Sequence, residues 1–278
     1  IKPGSTAPPA SLRLAVWVLG AGSLLVVLAA GAYDAFELDR FFVPKELVLH
    51  ATAFCGGLLA VRAFGRVGLA TADRLLLGFL AVSALSALFA TNGWVALRAL
   101  AVSVSGITVF WVARTLAVNG LGRRVAAFAA AAVVLGAITS LLQTYGVRLD
   151  VFSPNRAPGG TLGNRNFVAH MCAFGLPVVL FVALAARRRP TFLLGAAGAA
   201  LVAATLVLTR SRAGWLAFAA AMAVLVLSLL LGGALRRSAR TWARLALLLG
   251  LAAIGVAGAV LLPNSLRWRT ANPYAESM

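Results

Sequence analysis

Apolar runs of about 18–22 residues recur from one end of this 278-residue chain to the other. Each is long enough to cross a hydrocarbon layer of ~30 Å as a helix. In lipid only helices and closed barrels satisfy every backbone N–H and C=O, and the alternating apolar and polar residues of a barrel strand are absent. The chain is 62% hydrophobic and 12% charged, too little polar surface for a soluble domain of this length. The expected class is therefore an all-α polytopic membrane protein of about nine transmembrane helices. The spans read 12–33, 45–64, 74–90, 97–117, 125–145, 166–186, 191–209, 213–233 and 245–262. A flexible Pro-rich tail, 1–11, precedes this 12–262 helical domain. Residues 263–278 read as the start of a further loop, as if the chain were part of something longer.

Charge then orients the spans. The net charge of +18 does not point to nucleic acid, because the arginines sit at the ends of apolar runs and not on one basic face. Fifteen of the 25 Lys and Arg residues fall on the side of the N-terminal tail, among them Arg62, Arg74, Arg114, Arg187–Arg189 and Arg244. The positive-inside rule makes that side cytoplasmic and places the C-terminal end on the outer side of the membrane. Six of the seven acids lie on the other side; Asp73 is the exception. Cys55 and Cys172 fall inside apolar runs with no C-x-x-C spacing, so neither a metal site nor a disulfide framework is expected. No internal repeat of the kind that builds inverted-repeat transporters is evident.

Two stretches break the pattern. VRLDVFSPNRAPGGTLGNRNFVAHM, before the sixth span, is the longest interior connection and the one rich in Pro, Gly and Asn. Asn164 and Asn166 stand where a helix begins, so either can cap it, and the free N–H groups of such a terminus suit an anion. With Arg156 and Arg165 beside them, the loop is expected to receive a phosphate group. The second stretch, LVLTRSRAGWL, sets Arg210 and Arg212 into a hairpin with almost no linker, on the face that the charge bias assigns outside. Holding a charge at membrane depth costs about 2.5–3.5 kcal/mol on insertion scales. An external anion offsets that for both residues, since arginine grips phosphate through two parallel N–H bonds. Ser211 reads as a cap of the eighth span. His170, one turn beyond Asn166, reads first as a hydrogen-bonded core histidine and second as a base, and His50 more firmly as a core residue. No Asp-x-Asp pair occurs to hold a metal, so metal-free chemistry without a cofactor is expected, with arginines in the cation's role.

The residues GGTLGNRNFVAHM, followed after one span by LVLTRSRAGWLAF, resemble the core signature of the O-antigen ligase and O-antigen polymerase superfamily. There a G-x-x-x-N-x-N-x-x-A segment opens one helix and a T-x-SR-[GA] turn joins the next two. VPKELVL and the tail NPYAESM are similar to a Pro-Lys feature near that family's second helix and to the entry into its large periplasmic loop. The resemblance spans most of the chain but is specific over about 155–216. It implies a lipid-linked glycosyltransferase of the bacterial inner membrane that moves a glycan from undecaprenyl pyrophosphate, in the periplasm, to an acceptor hydroxyl on a lipid-linked core sugar, a growing glycan or a protein. It puts Arg212 on the donor pyrophosphate; Arg210 and Arg165 follow by charge and side. The family's functional arginine and histidine lie in the loop that would begin after Met278, so the catalytic base is expected beyond this chain. The alternative is an accessory subunit bound to other membrane subunits through Ala- and Gly-rich spans; a small-anion transporter ranks last, because the mid-span polar residues Ser83, Ser86, Ser103, Ser105 and Thr108 are few and mild and no charge lies mid-span.

Overall fold

A computed structural model of the chain describes residues 8–31, 39–64, 67–153, 157–232 and 239–266. Nine helices among them are long and apolar enough to cross a membrane. In chain order they are α1 Ala10–Leu28, α2 Asp39–Phe64, α3 Thr71–Leu88, α4 Gly93–Val118, α5 Gly122–Thr144, α6 Arg165–Leu184, α7 Arg189–Leu208, α8 Arg212–Leu231 and α9 Ala239–Leu261. No strand occurs among the described residues. The count and the class match the sequence expectation.

Two boundaries differ from it by about six residues, and both are intelligible. α2 starts at Asp39, ahead of the apolar run, and carries Pro44 inside it. A proline lacks the N–H that would reach the carbonyl four residues back. Here that carbonyl belongs to Arg40, and it accepts instead from Gly31 N at 2.7 Å. α9 starts at Ala239 and includes Arg244. The Arg244 guanidinium donates to the carbonyls of Leu184 and Ala186 at the end of α6 and lies 5.0 Å over the Phe192 ring. A cation at a helix C-terminus faces the negative end of the macrodipole, so the helix continues past the hydrocarbon with its charge satisfied.

The chain forms two compact units, Ile1–Val26 with Val43–Phe128, and Val27–Phe42 with Ala129–Met278. In the first, Leu12, Val16 and Leu19 of α1 meet Ala60 of α2 and Val112 and Leu116 of α4, all buried, with Leu121 closing the cluster. α3 packs along α4 and buries a single residue, Asp73. The rest of α3 turns outward, including Leu75, Val82 and Leu88. An outward apolar face of this kind suits lipid tails, which are as apolar as leucine.

In the second unit α6 is central. It packs against α7 and α8, and α7 packs along α9. Small residues set these distances. A Cβ added at Gly195 would stand 2.6 Å from the Cβ of Ala183, and one at Gly255 would meet the backbone of Ala200. Close backbone approach is how helices gain packing where no hydrophobic drive separates them from lipid. α8 departs from this pattern: Gly214 is its one buried residue, and Leu216, Val224 and Leu231 are exposed.

Candidate functional site

The second unit gathers the two unusual stretches at one end. α6 and α8 pack side by side there, and the contact is made by the motif residues themselves. A Cβ on Gly214, of the RSRAG turn, would lie 2.8 Å from the Cβ of Ala169, the alanine that closes the Asn-rich segment. Any larger residue at 214 would push the α8 N-terminus off α6. Stretches about 45 residues apart in sequence thus share one face.

The loop before α6 is held from below by buried polar side chains near the end of α5. Gln143 donates from Nε2 to the Ser153 carbonyl at 2.6 Å and accepts at Oε1 from Gly160 N at 2.7 Å. One amide therefore clamps both ends of the segment 153–160. Thr161 Oγ1 donates to the Val27 carbonyl at 2.7 Å. Thr139 and Thr161 hydroxyls meet at 3.3 Å. Gly160 opens a one-turn 3-10 helix, Gly160–Leu162, at φ +50, a left-handed conformation that glycine adopts without steric cost. A Cβ there would also strike Thr139 Oγ1 and the Ser140 backbone. Gly163, likewise at positive φ, seats against the Phe41 ring. Arg40, 6% exposed, sends Nη2 to the Phe152 carbonyl at 3.0 Å and sits 4.8 Å over Phe41. After α9, Ser265 donates from both N and Oγ to the Thr144 carbonyl, at 2.9 and 2.6 Å. The net result is a largely hydrogen-bonded polar floor beneath the Gly-rich loop, in which Arg40 Nε alone among the buried side-chain polar atoms of the residues just named lacks a hydrogen bond; buried polar groups without such partners are costly.

Both helix starts are capped by the residues that the sequence nominates. Asn164 Oδ1 accepts from Asn166 N at 2.8 Å, while the Asn164 carbonyl accepts from Phe167 N and Val168 N. The first turn of α6 thus satisfies most of its own N–H groups, and Arg165 N is left without an acceptor among the described residues. This narrows the expectation of a helix-end anion site to one free N–H, so side chains have to supply most of any grip. Ser211 Oγ accepts from Gly214 N at 3.2 Å, and Ser211 N in turn donates to Thr209 Oγ1. The α7–α8 turn is three residues long, and Arg210 within it sits at φ +52. A left-handed conformation is uncommon for a residue with a Cβ and carries strain.

The site residues read from the sequence fall out as follows. Arg212 is the first residue of α8 and is exposed; Arg165 is the first residue of α6 and is half-buried. Neither side chain forms an ion pair or hydrogen bond among the described residues. Arg210 is half-buried, with Nε and Nη2 in the interior. Asn166 is exposed, one turn before His170. Arg156 lies outside the described residues, as do Arg267, Arg269 and NPYAESM. His170 corrects the core reading. It is exposed and makes no hydrogen bond among the described residues, because Val168, Ala169 and Cys172 take the inner face of α6. His50 is half-buried with Nδ1 2.7 Å from Ser105 Oγ, as expected of a satisfied histidine. No group of three or more His, Cys, Asp or Glu that could hold a metal occurs among the described residues.

Sequence reading missed Gln143 and Arg40, the side chains that pin the loop. It also missed a second charged centre, in the first unit. Asp73 is wholly buried and takes three donors: Ala70 N at 2.6 Å, Trp111 Nε1 at 3.1 Å and Arg114 Nη1 at 2.6 Å. Arg114 Nη2 donates to the Gly68 carbonyl at 2.8 Å. The available signal was Asp73 itself, the one acid on a side crowded with arginine. No family model matches the chain, and neither a curated protein nor a solved structure matches it.

Proposed function

We propose that this chain carries the donor-binding part of a metal-independent, O-antigen ligase- or polymerase-like glycosyltransferase of the bacterial inner membrane, which moves a glycan from undecaprenyl pyrophosphate to an acceptor hydroxyl at the periplasmic face. The single observation behind the reading is the Gly214–Ala169 contact, which draws the SR turn and the Asn-rich segment onto one face of adjacent helices. Arg212 and Arg165, each the first residue of its helix and each without a side-chain partner among the described residues, supply planar forks suited to a diphosphate. Arg210, with Asn164 and Asn166 at the α6 start, completes the set. Exposed apolar residues on α8 offer a surface for the polyprenyl tail.

In this reading the diphosphate rests against the arginines with its lipid along α8. As the sugar–phosphate bond breaks, charge builds on the leaving diphosphate, and fixed guanidinium groups stabilise that state more than the ground state. The attacking hydroxyl needs a base, which in the resembled family belongs to the large periplasmic loop. Arg212→Ala in the full-length protein is expected to lower transfer about 100–1,000-fold while leaving membrane insertion unchanged, measured by glycan transfer in membranes and by accumulation of the variant. Full transfer by that variant sinks the reading.

A further inference from the structure

The first unit holds a second charged centre, independent of the residues of the glycosyltransferase reading. The N-terminal half of α1, the C-terminal ends of α2 and α4 and the start of α5 converge at one end of this unit through Leu12, Ala60, Leu116 and Leu121. α3 starts at the same end, because Asp73, its third residue, bonds to Arg114 near the end of α4. Beside that ion pair is a cavity of about 250 Å3, lined by Phe64, Leu69, Leu77, Trp111 and Thr115 together with the pair itself. That is room for roughly eight waters of liquid volume, a space suited to a phosphoglycerol headgroup and the root of its chains. Arg114 lies four residues before the end of α4, about 6 Å along the axis. The cavity therefore sits at headgroup depth in any bilayer that these helices span.

Three facts specify the ligand. The walls are apolar and aromatic, which excludes a fully hydrated ion. At the polar end, Asp73 is enclosed and taken up by three donors, so it is not the group presented. Arg114 is 27% exposed at its side chain and directs two of its five N–H groups to Asp73 and Gly68, which leaves three for an acceptor. Around this end Arg13, Arg62, Arg74, Arg123 and Arg124 are exposed, and Asp73 is the one acid there among the described residues. The field is positive although the central pair is neutral. We infer that the Asp73–Arg114–Trp111 cavity binds the headgroup of an anionic phospholipid, its phosphodiester on the free N–H groups of Arg114 and its glycerol root against Leu77 and Trp111. Asp73 acts through Arg114: it fixes the plane of the guanidinium, so the open N–H groups point into the cavity.

The test uses the full chain in nanodiscs of phosphatidylglycerol or phosphatidylcholine, followed by extraction and native mass spectrometry of the lipid retained. Wild type is expected to keep one phosphatidylglycerol and to lose phosphatidylcholine. Leu77→Trp fills the cavity without touching a charge and is expected to cut retention about tenfold, equivalent to ~1.4 kcal/mol. Arg114→Lys keeps a cation opposite Asp73 but removes the fork; it reads the same site should the tryptophan variant fail to fold, and is expected to cut retention by a similar factor. Unchanged retention in either variant, or equal retention of the two lipids by wild type, overturns the proposal. The second outcome would mean that exposed arginines hold a loose lipid shell and that the cavity plays no part.

Discussion

Arginine stands in two different settings in this chain. At Arg114 the guanidinium is matched inside the protein: Asp73 is buried against it at 2.6 Å, Trp111 and Ala70 complete the carboxylate, and Gly68 takes a further N–H. At the α7–α8 turn, an exposed Arg212 follows an Arg210 in a left-handed backbone conformation, and the side chain of Arg212 meets no acid among the described residues. What separates them is whether a remote segment brings a carboxylate. Arg114 holds α3 to α4 with part of its guanidinium, whereas the Arg212 side chain has no carboxylate partner among the described residues.

That contrast can be broken first at its matched end. Asp73→Ala strips Arg114, Trp111 Nε1 and Ala70 N of their acceptor together. Removing one partner of a buried pair costs about 3–5 kcal/mol, and the partial exposure of Arg114 puts the expected loss at the lower end of that range. Thermal unfolding in detergent is expected to shift strongly or the variant to fail to accumulate. Arg212→Ala should leave the same melting curve within about 0.5 kcal/mol of wild type. If the two variants melt alike, the distinction drawn between the two ends is wrong.

Smaller effects sharpen it. Gln143→Ala leaves the Gly160 N–H and the Ser153 carbonyl buried without partners, and is expected to destabilise by about 2–4 kcal/mol, read as faster hydrogen exchange across 153–163 with α1–α4 unaffected. Arg210→Gly removes the left-handed penalty and is expected to stabilise the turn by about 1 kcal/mol while lowering glycan transfer, so stability and activity move in opposite directions. Ser211→Ala deletes the α8 cap and is expected to destabilise by about 1 kcal/mol, seen as extra exchange in the first turn of α8 alone.

Much of the fold was legible in the sequence, because a lipid-spanning helix announces itself through length and hydropathy over twenty consecutive residues. The caps were legible too: Asn164 and Ser211 act on N–H groups two and three residues away, within the reach of a local pattern. The pair Asp73 and Arg114 was not. Its partners are 41 residues apart, and nothing local to either says that α3 and α4 meet there. The same holds for Gln143, whose two bonds run 10 and 17 residues forward into a loop of turns. His170 misled for a different reason. An apolar helix has several faces of similar hydropathy, and the choice of inner face rests on small residues such as Ala169 and Cys172 that let α6 approach its neighbours. Of the candidate site, the two helix caps were legible, and the floor that fixes the loop beside them was not.

One subtraction early in the chain reaches further than its size suggests. Because Pro44 lacks a hydrogen on its nitrogen, α2 leaves the oxygen of Arg40 unclaimed, and Gly31 claims it. That one substitution of suitors ties the exit of α1 to the entry of α2, and it does so at the residue whose side chain reaches Phe152. An alanine at 44 would offer the same oxygen a second donor from its own helix, in competition with Gly31. A residue noted for breaking helices thus works here as a knot between segments, and its influence is exerted through an atom that it does not have.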